Sequence, residues 1–142
     1  MLARFTINSV IDNLDDFGAP MGEPEINDTT AVGEVTNEGG VTTLFYKEKN
    51  EDTVTSTRIE MRADGSVFLR RMGGIASDML FIEGKETKTL YQIPPYKFDM
   101  TLLTKRIRAR LADEGGEIQL VYSMDVGGGK KNARMKITYT TE

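Results

Sequence analysis

The sequence predicts a single all-β domain, an antiparallel up-and-down barrel of about eight to ten strands. Apolar and polar residues alternate with period two along most of the 142 residues. The alternating runs are separated by turns such as Asp64-Gly65 and Gly127-Gly128-Gly129, whose residues tolerate positive φ. The length fits one domain over 1–142, and a β-sandwich is the alternative that shares these features.

Ten candidate strands follow one another along the chain. They are residues 2–11, 29–37, 40–49, 52–62, 66–72, 78–84, 87–93, 96–111, 116–126 and 132–141. The clearest of them is 116–126, in which Ile118, Leu120 and Tyr122 share one face with later apolar residues. Residues 12–28 carry glycine, proline and acidic side chains, which predicts an acidic loop between the first and second strands rather than a second domain.

The segment 96–111 changes its apolar face midway. Its apolar residues fall on even positions in the first half and on odd positions in the second half. A strand that swaps faces needs a β-bulge or a sharp bend, which we expect near Leu102–Thr104. The alternative is a helix over the second half, because Leu103, Ile107 and Leu111 are spaced by four residues.

Charge and residue types exclude several functions. With 18 basic and 22 acidic side chains, the net charge of −4 argues against generic binding to nucleic acid or to an anionic membrane. The chain has no cysteine and no histidine. Disulfides, Cys/His zinc sites, His-dependent triads, cysteine nucleophiles and haem held by either residue are therefore impossible, and no cofactor is predicted. The first residues lack a long apolar run, so we expect a cytoplasmic protein without a membrane span.

Two segments suggest ligand sites but have simpler explanations. DVGGGKKN, residues 125–132, lacks the spacing and the Ser/Thr of a phosphate-binding loop, and a flexible hairpin explains it better. On a strand, Arg106, Arg108 and Arg110 share a face and form a basic stripe. Aromatic residues for base stacking are not interleaved with these arginines, so we interpret the stripe as a solvated face or a charged edge strand.

Several segments resemble the YwiB-like proteins, a family of small uncharacterised bacterial proteins. These segments are TTLFYKE, TSTRIEMRADGSVFLRRMG, MLFIEG, TLYQIPPY, IQLVYSMDVGG and ARMKITY. The resemblance implies a calycin-type, lipocalin-like β-barrel and no particular reaction. The family pattern matches this chain at Tyr46, Glu48, Thr57, Arg71, Gly73, Phe81, Tyr91 and Thr104. Ile93 and Lys97 depart from it, which puts the loop at Pro94–Lys97 in doubt as a functional element.

The adjacent arginines of FLRRMGG point to opposite faces of their predicted strand. Both faces carry apolar neighbours, so periodicity does not choose which arginine points inward. The resemblance places Arg71 inward, as part of an Arg-x-Gly feature, and leaves Arg70 in solvent. An inward arginine must be paired. The candidate partners are Glu48 and an anionic group of a ligand, and we expect the internal pair.

The leading functional hypothesis is a barrel that binds a small, partly apolar ligand, with an anionic group as one option. Its predicted lining is Tyr46, Glu48, Met61, Arg71, Phe81, Tyr91, Tyr122 and Met124. The alternative is a non-enzymatic interaction or homodimerisation module with a filled barrel. Its outer patch would contain Phe68, Leu80, Ile82 and Val121. A third hypothesis is an enzyme that uses Glu48, Arg71 and Tyr91, although nothing in their spacing requires it.

Overall fold

The computed structural model of the chain is a closed barrel of ten antiparallel strands. It describes residues 1–142, with the exception of the side chain of residue 50. The strands are β1 (Leu2–Asn13), β2 (Glu25–Glu38), β3 (Val41–Asn50), β4 (Thr53–Met61), β5 (Val67–Met72), β6 (Ala76–Phe81), β7 (Glu86–Ile93), β8 (Tyr96–Leu111), β9 (Gly115–Val126) and β10 (Gly129–Thr141). Each strand pairs with the next, and β1 pairs with β10 to close the barrel. The predicted all-β, up-and-down barrel is confirmed.

The connection between β1 and β2 is shorter than the predicted acidic loop over 12–28. β1 continues to Asn13 and β2 already begins at Glu25. Across the two strands, the side chain of Asn8 donates a hydrogen bond to Asp28 at 2.7 Å. Main-chain pairing does not require apolar side chains, so polar residues extend both strands beyond the run that periodicity detects.

β8 contains the predicted change of face. Thr104 pairs with Tyr122 but Arg106 pairs with Val121, so Lys105 is an extra residue that forms a β-bulge directly after the expected position. The helix considered for the second half of this segment is wrong, because that half pairs with β9 up to its end. Among the described residues, none belongs to a helix long and apolar enough to cross a membrane.

The ladder between β6 and β7 is short. Two residue pairs are in register, and one of them joins Ser77 to Tyr91. Further along, the Thr87 hydroxyl donates a hydrogen bond to the carbonyl oxygen of Leu80 at 2.7 Å. The barrel is therefore closed with few main-chain hydrogen bonds at this seam, which makes it a place where local opening costs little.

One half of the barrel interior is filled by apolar side chains from inward-facing strand positions. These side chains are at most 2% exposed and include Phe5, Val35, Leu44, Ile59, Val67, Leu69, Phe81, Leu102, Ile118, Leu120, Ile137 and Tyr139. Phe5 packs against two other rings, with centroid distances of 5.5 Å to Tyr46 and 6.3 Å to Tyr139. The filled half is the hydrophobic core, and it leaves the opposite end of the barrel open.

Candidate ligand-binding site

The open half of the barrel encloses a cavity of about 850 Å³. It lies at the end where the odd-numbered strands finish and the even-numbered strands begin. This volume is within the range of about 300–1,000 Å³ that is typical of small-molecule sites. A single barrel thus combines a packed core with a space large enough for a ligand.

The cavity has a polar wall and an apolar wall. The polar wall is formed by β2 to β5 and includes Glu25, Asn27, Thr29, Glu48, Thr53, Thr55, Thr57 and Arg71. The apolar wall is formed mainly by β6 to β10 and β1 and includes Ile7, Ile11, Met79, Tyr91, Phe98, Met100, Tyr122, Met124, Val126 and Met135. Ser9 and Lys131 interrupt the apolar wall, and the Lys131 ammonium donates a hydrogen bond to Asn13 at 2.8 Å.

Arg71 belongs to a row of inward side chains that crosses five strands. Direct cross-strand pairs lead from Tyr46 to Thr57, then to Arg71, then to Ser77 and finally to Tyr91. Four of these five residues belong to the pattern on which the family resemblance rests. The row lies where the cavity meets the core.

The backbone conformation and the close surroundings of Gly73 explain why the Arg-x-Gly feature contains a glycine. Its φ is 138°, a conformation that favours glycine, and a Cβ at this position would overlap the carbonyl oxygen of Val54. Only a residue without a side chain lets the end of β5 approach β4 this closely. The glycine therefore fixes the backbone two residues after Arg71.

The expected internal pair between Arg71 and Glu48 is not formed. Among the described side chains, no carboxylate lies within salt-bridge distance of the Arg71 guanidinium. The strand register explains this result, because Arg71 pairs with Thr57 whereas Glu48 pairs with Thr55, nearer the mouth of the cavity. Arg71 is half-buried, so its positive charge faces the cavity without an internal counter-ion.

Arg71 also acts electrostatically on two tyrosines. Burial raises the pKa of Tyr122 to about 12; the Arg71 guanidinium opposes this increase and Tyr91 adds to it. Burial likewise raises the pKa of Tyr46, against the opposing effects of Arg71 and of a hydrogen bond with Thr57. Both phenols are therefore neutral near pH 7, and each has a hydroxyl that can donate a hydrogen bond.

Two buried hydroxyl groups have no hydrogen-bond partner among the described residues, namely Ser77 Oγ and Thr104 Oγ1. Ser77 is 5% exposed and is the cross-strand neighbour of both Arg71 and Tyr91. Buried polar groups are nearly always hydrogen-bonded. Ser77 does not line the cavity, so its unpaired hydroxyl is buried beside Arg71 without facing that space.

Five of the eight predicted site residues line the cavity, namely Glu48, Arg71, Tyr91, Tyr122 and Met124. The other three do not. Tyr46 and Phe81 belong to the filled core, and Met61 packs against the core at the end of β4 that is remote from the cavity. All three occupy inward-facing strand positions, but periodicity identifies the face of a strand and not the depth of a residue along the barrel axis.

The sequence analysis missed the hydroxyls of β4 and most methionines of the apolar wall. Thr55 and Thr57 line the cavity. In TVTSTRIEM they alternate on the same face as Ile59, which is completely buried. The sequence signal that could have identified them is the pair of threonines that continues the apolar face of β4. Met79 and Met100 likewise share their faces with Phe81 and Leu102.

The residues of the predicted outer patch do not form one exposed surface. Phe68, Leu80, Ile82 and Val121 are all half-buried. The guanidinium groups of Arg62 and Arg70 lie 4.9 Å and 5.5 Å from the centroid of the Phe68 ring. Val121 lies on β9 and is flanked by Arg106, whereas Phe68 and Leu80 are neighbours on β5 and β6.

The other arginines singled out in the sequence lie on the outside of the barrel. The Arg70 guanidinium donates hydrogen bonds to the Asp78 carboxylate at 2.9 Å and 3.2 Å. The basic stripe of Arg106, Arg108 and Arg110 is exposed on the outer face of β8. No group of three or more acidic side chains placed to hold a metal ion occurs in the part of the chain that the structure describes.

Fold and cavity define a closed ten-stranded β-barrel with one filled and one open half. A family model described as a domain of unknown function, DUF1934, matches residues 19–138, and the chain belongs to this family. This chain is 28% identical to the uncharacterized beta-barrel protein YwiB of Bacillus subtilis (strain 168) over 97 residues, which is 68% of either chain. The crystal structure of the ywiB protein from Bacillus subtilis matches with a TM-score of 0.84 and 25% identity, covering 99% of this chain and 92% of that one. The resemblance to YwiB-like proteins is confirmed.

Proposed function

We propose that the open half of the barrel binds a small, partly apolar molecule that carries an anionic group. The observation that supports this proposal best is Arg71, which faces the cavity with no carboxylate within salt-bridge distance among the described side chains. A half-buried cation without a partner lowers the stability of the free protein. A ligand anion would supply both the opposite charge and charge-assisted hydrogen bonds.

The rest of the lining supports a ligand of mixed polarity. Hydroxyl groups of the polar wall, such as that of Thr55, supply hydrogen bonds, and Met124 and Tyr122 on the apolar wall supply adaptable contact. Barrels of the calycin type hold one small ligand in a space of this kind, and we propose the same use here. The proposed setting is the cytoplasm, because a barrel without cysteine needs no oxidising compartment to fold.

Native mass spectrometry of the freshly purified full chain tests this proposal. We expect a non-covalently bound small molecule that dissociates when the protein is denatured. The variant Arg71→Ala should lose this molecule, whereas the matched variant Arg70→Ala should retain it, since Arg70 is bound to Asp78 on the outside. Equal retention in both variants would contradict the proposal, and so would a wild-type protein that carries no molecule and takes up none from solution.

The homodimerisation hypothesis has one observation in its favour, the completely filled half of the barrel. A filled barrel contributes stability without binding anything, and its function would then depend on the outer surface. The same spectra distinguish the two functions because they report the oligomeric state. A dimer with an empty cavity would favour the interaction module, and a monomer with a bound molecule would favour ligand binding.

A further inference from the structure

We infer that the ligand is a monocarboxylate with a flat, ring-shaped apolar body, which binds with its carboxylate against Arg71 at the inner end of the cavity. This inference rests on the proposed function and narrows its ligand class. It is carried by the charges of the lining, by the guanidinium of Arg71 and by the arrangement of the two walls.

The formal charges of the cavity lining cancel. Arg71 and Lys131 are positive, whereas Glu25 and Glu48 are negative. Lys131 pairs with Asn13, the last residue of β1, and therefore lies at the mouth, which leaves Arg71 as the cation at the inner end. A phosphate group with about two negative charges would be only half neutralised there and repelled by Glu48. A single negative charge matches this site.

The Arg71 guanidinium matches a carboxylate in geometry. A guanidinium offers two parallel N–H donors that match the two oxygens of a carboxylate. Arg71 lines the cavity and has no carboxylate within salt-bridge distance among the described side chains. The inner end of the cavity therefore offers the paired donors that one carboxylate needs.

The two walls indicate the shape of the rest of the ligand. Polarity is divided between opposite sides of the cavity, since Thr55 and Thr29 face methionines and aromatic rings across it. A long acyl chain would need apolar contacts around its whole circumference, and the polar wall does not provide them on one side. A flat ring places one face on Met100 and Met124 and turns its substituted edge to the hydroxyl groups.

The depth of the cavity also disfavours an extended chain. Leu69, two residues before Arg71 on the same face of β5, is completely buried in the core. An anion held by Arg71 therefore has no space behind it, and the body of the ligand extends toward the mouth. The body must fit beside the anion within the open half, which favours a compact ring system over a chain.

A matched series of compounds tests the inference with the full chain. The probes are 2-naphthoate, 2-naphthyl phosphate and 2-naphthamide, which share one ring system, and octanoate, which shares only the carboxylate. Calorimetric titration should extend to about 5 mM, because fragment-sized ligands bind weakly. We expect 2-naphthoate to bind at least about tenfold more tightly than each of the other three.

Variants identify the residues that determine the selectivity among these compounds. Arg71→Gln should weaken 2-naphthoate binding at least about tenfold and leave 2-naphthamide unchanged, because a charge-assisted pair is lost only with the carboxylate. Arg70→Gln is the matched control and should change neither affinity. Glu48→Gln should shift the preference toward 2-naphthyl phosphate by at least about threefold, because it removes the repulsive charge. Circular dichroism verifies the fold of each variant, and Glu48→Gln keeps the test decisive if Arg71→Gln does not fold.

Each outcome separates the inference from the proposed function. Tighter binding of 2-naphthyl phosphate, or no effect of Glu48→Gln, would overturn the monocarboxylate. Tighter binding of octanoate would overturn the flat body, and equal affinity for 2-naphthamide would overturn the anionic anchor. In the first two cases ligand binding by the barrel still stands. If the wild type binds none of the four compounds and carries no molecule on purification, the proposed function fails as well.

Discussion

Ser77 is the direct cross-strand neighbour of Arg71, and its buried hydroxyl has no hydrogen-bond partner among the described residues. An unpaired hydroxyl and an unpaired guanidinium therefore lie side by side where the cavity meets the core, but only Arg71 lines the cavity. Each group costs free energy in the unliganded protein. An anion in the cavity would remove the cost of the guanidinium, whereas Ser77 does not face that space.

Replacement of Ser77 separates its contribution to stability from its contribution to binding. Ser77→Ala removes an unsatisfied buried hydroxyl, so the free energy of unfolding should stay the same or rise by up to about 1 kcal/mol. The affinity for 2-naphthoate should stay the same, because Ser77 does not line the cavity. Urea unfolding and calorimetry measure the two quantities. A stability loss above about 1 kcal/mol would show that the hydroxyl is bonded within the folded chain.

Arg71 is expected to serve binding at the expense of stability. Arg71→Met replaces an unpaired, half-buried charge with an apolar side chain of similar length, so the free energy of unfolding should not decrease and should rise by about 1 kcal/mol or more. The control Arg70→Met removes an exposed pair with Asp78 and should lower stability by less than about 1 kcal/mol. A loss of roughly 3 kcal/mol in Arg71→Met would instead assign Arg71 a structural role.

Period-two alternation predicted which side chains point into the barrel. Tyr122 and Met124 were assigned to one face from it and line the cavity, as does Tyr91, which the family pattern indicated. Phe81, also from the family pattern, and Met61 were predicted in the lining as well, yet they belong to or pack on the filled core. Alternation repeats identically along a strand, so it contains no information on the distance of a residue from the open end.

The inward position of Arg71 came from the family resemblance and not from periodicity, since both faces of its strand carry apolar residues. The absence of a pair with Glu48 could not be predicted either. Whether two inward charges meet depends on the register of three adjacent strands, and that register is set by main-chain pairing and by turns such as Asp64-Gly65. An offset of two residues along β4, from Thr57 to Thr55, is enough to separate Arg71 from Glu48.

Gly73 is expected to be intolerant of any side chain because of its surroundings and not only because of its φ. Gly73→Ala would place a Cβ onto the carbonyl oxygen of Val54, whereas Gly65→Ala, at a φ of 88°, would meet nothing within 4 Å. Gly65→Ala should cost about 1–2 kcal/mol for its left-handed backbone. Gly73→Ala should cost at least about 2 kcal/mol more. Equal losses in urea unfolding would show that β5 and β4 are not this close.

The raised pKa of Tyr122 predicts a loss of stability at alkaline pH. Burial raises its pKa from 10.0 to about 12 in the folded protein. Because the folded pKa lies above the unfolded one, the stabilising contribution is fully present below about pH 10 and disappears as the pH rises through about 12. A difference of two pH units corresponds to roughly 3 kcal/mol. The free energy of unfolding should therefore decrease steeply over this window.

Two substitutions assign this decrease to the buried phenol. Tyr122→Phe removes the ionisable group, so its stability should fall less steeply between about pH 10 and 12 than that of the wild type, by roughly 3 kcal/mol over the window. Tyr96→Phe is the control, since the Tyr96 side chain is 64% exposed, and it should leave the slope of the wild type unchanged. Urea unfolding at a series of pH values provides the slopes. Parallel curves for the wild type and Tyr122→Phe would mean that the phenol reaches solvent through the cavity and ionises without unfolding.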